Sequence, residues 1–349
     1  MEATMRMYEP SQEIILSSGS ASSFPNNLSV FHHEAKHTTF ACIAHKNQVN
    51  TVNWDPKMEG FTSDTIPIKN GDCDKPLIVL QAKYCMPLLR SFPLLVIASP
   101  EGAMIFDPRN SKMLAWSPID SLSRSSENDD ESSRFTRGIS CVENTIVVGT
   151  FTGDILVFSC SGENSVQAKK PLQEHKSAIA DIATCNFDEL TCSCDVSGVI
   201  AVWSKSLKSV QKTISTEHEI NCMNVLRKQA IVGTFLGQLL FYSTLTGQLM
   251  AEVNAHVRQI NAIAVAPESA YVRVMSAGDD TVIRIWKLHT RKPESYKVEW
   301  RHNEIVENMP LMGAQFTNGR GSAFVVAAYD YAKLFFYKIA KKTTPTGNN

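Results

Sequence analysis

No uninterrupted run of about 18 apolar residues occurs in this chain, so a membrane-spanning helix is not expected. An excess of charge is missing too. The 34 basic residues are balanced by 35 acidic ones, for a formal net charge of −1. No overall field is then available to attract nucleic acid or anionic lipid. The stretch from Met1 to Ser23 carries acidic residues and no apolar core, so it is not read as a secretory signal. The sequon Asn27-Leu28-Ser29 is expected to be silent for the same reason. Cysteine occurs nine times, an odd number, without a C-x-x-C pair. That gives no disulfide framework and fits a reducing compartment, and a cytoplasmic location is expected. Neither a G-x-x-x-x-G-K-S/T loop nor a G-x-S-x-G elbow is present, so nucleotide binding and serine hydrolysis have no motif to rest on.

What the chain has is a pattern of short strands. Ser276 to Leu288 reads S-A-G-D-D-T-V-I-R-I-W-K-L. An apolar run ends in a tight, Asp-rich turn and continues as an alternating strand, which makes a β-hairpin. His256 stands ahead of the preceding apolar run. Similar stretches recur. Val147 to Phe158 (V-V-G-T-F-T-G-D-I-L-V-F) and Ile231 to Tyr242 (I-V-G-T-F-L-G-Q-L-L-F-Y) match at their glycines and lie 84 residues apart. That offset is two periods of about 42. The aromatic end-points Phe158, Trp203, Tyr242 and Trp286 are spaced by 45, 39 and 44 residues. His175, His218, His256 and His302 are spaced by 43, 38 and 46.

A repeat of this length predicts an all-β propeller, with seven blades favoured over six or eight. Its ring is expected to close by pairing N-terminal with C-terminal strands, which hides open sheet edges. One domain is expected over residues 26–340. Residues 1–25 and 341–349 read as disordered, and 121–134 as a solvated acidic insertion. Lys57 to Lys75 reads as a loop. Thr38 to Ala44 and Val49 to Trp54 read as parts of a blade completed from elsewhere.

A histidine, then a strand, then a hairpin ending in Trp resembles a blade of the WD-repeat β-propeller family. The order of N-N-L-S-V (Asn26 to Val30), G-T-F-T-G-D-I-L-V-F (Gly149 to Phe158), N-A-H (Asn254 to His256), the Ser276 hairpin, P-E-S (Pro293 to Ser295), G-A-Q-F (Gly313 to Phe316) and Y-D-Y-A-K (Tyr329 to Lys333) is similar to the WD repeat-containing protein 54 family. The resemblance covers Asn26 to Tyr337 and is weakest across Asp55 to Pro76 and the insertion. It implies a non-catalytic cytoplasmic scaffold in signalling, vesicle or cilium-related assembly, and brings no active-site residues. His256 and Asp280 are expected to bond as a structural pair. The position two before Asp280, usually Ser or Thr in such blades, is Gly278, so their polar network is expected to be incomplete.

The residues that suggest chemistry have plainer readings. On a strand, His33 and His37 share one face and His32 the other, which is a poor metal cluster. Cys185, Cys192 and Cys194 lack zinc-ligand spacing and read as buried thiols. His175, His218, His256 and His302 repeat once per blade, whereas catalysis needs one placed histidine, so they read as structural together with Asp280, Trp203 and Trp286. No cofactor and no metal are expected. Protein partners are expected, with Arg258 the leading contact and Arg137 and Arg227 beside it. Homo-oligomerisation stays open. Ser125 and Ser126, flanked by acidic residues, are candidate phosphorylation sites. The competing reading is a hydrolase using the central channel. It would need carboxylates at equivalent strand starts, where the repeat carries Gly, Thr and apolar residues.

Overall fold

The computed structural model describes residues 7–18, 22–58, 60–70, 75–122, 133–269, 272–289 and 296–340. Among the described residues the strands form seven antiparallel sheets of four. Each sheet is one blade. Blade 1 is built from Ser29–His33, Thr38–His45, Gln48–Trp54 and Phe61–Pro67; blade 2 begins at Gln81–Cys85, blade 3 at Thr136–Val142, blade 4 at Ile179–Cys185, blade 5 at Ile220–Leu226, and blade 6 at Ile260–Ala266. In each, the first strand lies innermost. Blade 7 takes three strands, Leu311–Phe316, Ala323–Ala328 and Lys333–Ile339, from the end of the chain and its outer strand, Tyr8–Ile15, from the beginning.

The closing strand corrects the reading of residues 1–25 as disordered. Tyr8–Ile15 (YEPSQEII) carries Pro10 and polar residues, yet it pairs with Lys333–Ile339 from Tyr8↔Ile339 to Ile15↔Lys333. Proline is tolerated on an edge strand, and the register shifts between Pro10 and Glu13. Blade 1 is also complete within residues 29–67. Phe61–Pro67, inside the stretch read as a loop, is its outer strand. Its exposed outer face left no apolar signal to read.

Alternation along a strand sends side chains to opposite faces, so one strand feeds two cores. In Thr38–His45, Ala41 and Ile43 pack toward blade 7, whereas Cys42 and Ala44 pack toward blade 2. The chain thus has a separate apolar core at every blade-to-blade contact around the ring. Trp203 and Trp286 are buried in these cores, and Trp300, on an outer strand, is 50% exposed. The repeated glycines fit here. A Cβ on Gly149 would run into Ile179, and one on Gly233 into Ile260, the first inner-strand residue of the following blade in each case.

No helix among the described residues is long and apolar enough to cross a membrane.

Candidate functional site

In a four-stranded meander, the turn between strands two and three lies at the same end as the passage to the next blade. We call that end the upper rim, and the end with the other two turns the lower rim. At the upper rim, the turn at Gly237 packs under the passage from blade 5 to blade 6. Ala255 and His256 both donate backbone N–H bonds to the Gly237 carbonyl, at 3.1 and 2.9 Å. Gly237 has φ 85°, and a Cβ there would strike the carbonyls of His256 and Arg258.

Two of these passages are pinned by a four-residue relay. In blade 6, His256 Nδ1 is 2.8 Å from Asp280 Oδ1 and His256 Nε2 is 2.8 Å from Ser276 Oγ, which accepts the Trp286 indole N–H at 3.0 Å. In blade 4, His175 Nδ1 is 2.9 Å from Asp195 Oδ2 and Nε2 is 2.7 Å from Ser193 Oγ, which accepts the Trp203 indole N–H at 2.8 Å. The network expected to be broken at Gly278 is therefore intact. Its hydroxyl comes from Ser276, ten residues before Trp286, as Ser193 stands ten before Trp203. The carboxylate is the variable member. Asp280 sits in the turn, whereas Asp195 sits two places earlier in the repeat, at the strand end. The blade 4 relay was missed because its Asp is shifted.

Burial pushes the His256 pKa down, against the pull of Asp280. Burial alone would raise Asp280, but the bonds from His256 and from backbone N–H groups hold it below the usual carboxylate range. A neutral His256 donating from Nδ1 to an ionised Asp280 satisfies both. Nε2 is then free to accept from the Ser276 hydroxyl.

The other two histidines depart from the expected pattern. Blade 5 has Val232 where the hydroxyl would stand, so His218 has no relay to join; its ring is half-buried and its backbone N–H bonds Thr216 Oγ1. His302 is not in a passage at all. It lies within the outer strand Lys297–Ile305, with Nε2 3.0 Å from Glu304 Oε1 and its ring tilted against Tyr8.

The three arginines do not form one surface. Arg137 is 8% exposed; its Nε donates to Ile179 O at 2.9 Å and its guanidinium covers Phe135. Arg137 therefore ties blade 3 to blade 4 and is no surface contact. Arg227 is exposed but belongs to a lower-rim turn. Arg258 alone is exposed at the upper rim. Beside it, Val257 is 86% and Leu236 79% exposed, and Phe235 is partly so. The stacking of the Gly237 turn under His256 brings together the two segments that carry these side chains. None of these three apolar residues was singled out from the sequence, although F-L-G in the repeat was the available signal. Ser125 and Ser126 lie outside the described residues.

The channel is occupied at its upper mouth by the chain itself. Asn26 Nδ2 donates to Asp181 Oδ2 at 2.6 Å, Asn26 N–H to Asn261 O at 2.8 Å and Asn27 N–H to Met312 O at 3.0 Å. Asp181, buried, also accepts the backbone N–H groups of Met223 and Ile182. Burial raises its pKa, but its oxygens are committed to the fold. His33 bonds the Ser91 carbonyl and His32 the Thr39 hydroxyl. Cys185, Cys192 and Cys194 lie in the core between blades 4 and 5. Among the described residues, no group of three or more His, Cys, Asp or Glu is placed to hold a metal ion.

Comparison with known proteins agrees with this architecture. The chain is 32% identical over 329 residues to human WD repeat-containing protein 54, covering 90% of this chain and 95% of that protein. Rat WD repeat domain 54 is 32% identical over 328 residues with the same coverage. Human WD repeat-containing protein 36 matches over 148 residues at 26% identity, which is 42% of this chain and 16% of that protein. A chain of the mitotic checkpoint complex crystal structure superposes with a TM-score of 0.72 at 13% identity, over 98% of this chain and 95% of that one, a likeness of fold. The WDR54 family model matches residues 7–339, and this chain belongs to the WDR54 family of WD-repeat propellers.

Proposed function

We propose that this protein is a non-catalytic interaction scaffold whose partner-facing element is the upper-rim patch of Phe235, Leu236, Val257 and Arg258. WD-repeat propellers in general serve as protein-interaction scaffolds. The observation that carries the finer reading is the exposure of Leu236 and Val257 on two turns locked to each other. Large apolar side chains held rigidly in water lose little further entropy on binding. With Arg258 at the edge, the patch suits a protein segment with apolar side chains and a carboxylate. Asp181 spends both carboxylate oxygens on Asn26 Nδ2 and on the backbone N–H groups of Met223 and Ile182, which counts against a channel hydrolase. The place of action we propose is the cytoplasm, in signalling, vesicle or cilium-related assembly.

The test compares captured partners of the wild type with those of a Leu236→Asp, Val257→Asp variant and of Arg258→Glu. Arg227→Glu, on the lower rim, is the control. Partners lost from the patch variants alone, at unchanged melting temperature, support the reading. An identical partner set, or a homogeneous protein with measurable turnover, overturns it. We extend the proposal to regulation at Ser125 and Ser126. Phosphate there adds about −1.5 to −2 charge to a stretch already rich in acid. Finding no phosphate on either serine in the native cell would remove that extension.

A further inference from the structure

The lower rim holds a cavity of about 380 Å³ between blades 2, 3 and 4, lined among others by Lys83, Cys85, Cys141 and Glu143, with Leu88 at its edge. Cys85 ends the innermost strand of blade 2, and Cys141 is near the end of the innermost strand of blade 3. The two thiols line this cavity from neighbouring blades and pack against the same apolar core. Cys85 is buried and Cys141 half-buried. Lys83 stands two residues before Cys85, and its Nζ is held on the Ile139 carbonyl at 2.7 Å, between the same two strands.

We propose that Cys85 and Cys141 form a peroxide-sensitive dithiol, a modification site whose oxidised form is a disulfide tying blade 2 to blade 3.

The thiolate is the nucleophile in such chemistry. The neighbouring Cys141 thiol, and with it the Lys83 ammonium, holds the Cys85 thiol below its ordinary value against the effect of burial. The nearness of Cys85, and burial with it, pushes Cys141 up. Burial pushes up the other described thiols: Cys42, Cys160 to about 11, Cys185, Cys192 to about 12, Cys194 and Cys222. One thiol is thus set apart for reaction, with a resolving thiol on the same cavity and an opening to solvent. The oxidant is hydrogen peroxide, small enough to reach a sulfur that lines the cavity.

In the first step the Cys85 thiolate attacks one peroxide oxygen. The O–O bond breaks, Cys85 becomes a sulfenic acid, and the departing hydroxide takes up a proton as water. In the second, the Cys141 sulfur attacks the Cys85 sulfur. The S–O bond breaks as the S–S bond forms, and the hydroxyl leaves with the Cys141 proton as a second water. Two thiols and one peroxide give one disulfide and two waters, so the sulfur atoms together lose the two electrons that the peroxide gains.

The experiment treats the folded full-length chain with hydrogen peroxide. Remaining thiols are then alkylated, and the protein is digested without reductant for mass spectrometry. A Cys85–Cys141 cross-linked peptide should form ahead of oxidation at any other cysteine. In Cys141→Ser, Cys85 sulfenic acid should accumulate and be trapped by dimedone. Lys83→Met should slow cross-linking by roughly threefold to tenfold. The wild-type protein alone decides the case if a variant fails to fold. Both thiols alkylated to the same extent with and without peroxide, or a different cysteine pair cross-linking first, overturns the proposal.

Discussion

His256 and Asp280 are 24 residues apart in the chain and 2.8 Å apart between Nδ1 and Oδ1. This bond joins the passage between blades 5 and 6 to the turn of the blade it enters. Removing one partner leaves the other buried without its bond, at a cost of about 1–3 kcal/mol. His256→Ala and Asp280→Ala should each lower stability by that order. The double variant should lose less than the sum, because the second deletion removes a group that has already lost this bond. Denaturant titration of the four proteins checks this, and strict additivity would contradict the contact.

The same pair sets a pH dependence. His256 has its folded pKa below the ordinary 6.5, first because it is buried. Asp280 and Arg284 are the charged groups against it. Below the unfolded value the unfolded chain binds a proton that the folded chain refuses, so stability falls as the solution is acidified. Asp280, with its folded pKa depressed below 3.8, adds a contribution present above that value and lost as pH drops through the folded pKa. The melting temperature should therefore decline from about pH 7 to pH 5, and the slope should be shallower in His256→Ala. Parallel slopes would show that this histidine does not titrate with unfolding.

Legibility in the sequence followed how much of each element's signal is local. Blades 3 to 6 were readable because an aromatic end-point recurs at nearly constant spacing behind a tight turn, and blades 3 and 5 match at their glycines. Gly149 and Gly233 clear the way for Ile179 and Ile260. Blade 1 lacks that spacing, and its outer strand faces water, so only its middle strands showed. Tyr8–Ile15 has Tyr8 and Ile14 as its buried residues. Its partner strand lies at the far end of the chain, and no local pattern announces a pairing over that separation. The surface patch was hidden for a related reason. Leu236 and Val257 belong to different blades, and an apolar residue in a repeat reads as core until the turn that displays it is seen.

The repeat also exposes one strained position. Five residues before their aromatic end-points, Gly153, Gly198 and Gly237 have φ of 86°, 96° and 85°, and Thr281 occupies the same place in blade 6 with φ 67°. A β-branched residue pays about 1–2 kcal/mol to stay in that region, partly offset by the smaller freedom it loses from the unfolded chain. Thr281→Gly should therefore stabilise the protein by about 0.5–1 kcal/mol. Gly237→Ala should destabilise it, since the carbonyls of His256 and Arg258 stand where the new Cβ would go. Opposite signs from these two exchanges, read by chemical denaturation, are the expected outcome. A loss of stability in both would mean that Thr281 is held by contacts worth more than its strain.

The ring depends on the strand Tyr8–Ile15. Tyr8 is fully buried; its hydroxyl donates to the Gly321 carbonyl at 2.6 Å and accepts from Arg273 Nη1 at 3.1 Å, and its ring meets Phe324 edge-on at 5.0 Å. Ile14, on the same strand, enters the core shared with blade 1. Without this strand, Lys333–Ile339 becomes an open edge and two cores lose part of their cover. Tyr8→Ala should cost about 3–5 kcal/mol. Tyr8→Phe should cost only about 1 kcal/mol, because Arg273 Nη1 still donates to the Gly321 carbonyl at 2.8 Å. A chain beginning at Ser17 should aggregate or melt far below the full-length protein. Adding the peptide YEPSQEII should raise its melting temperature as peptide concentration increases, because the peptide binds the folded ring and not the unfolded chain. If the shortened chain melts with the full-length protein, or if the peptide has no effect on a soluble shortened chain, the strand is not what closes the ring.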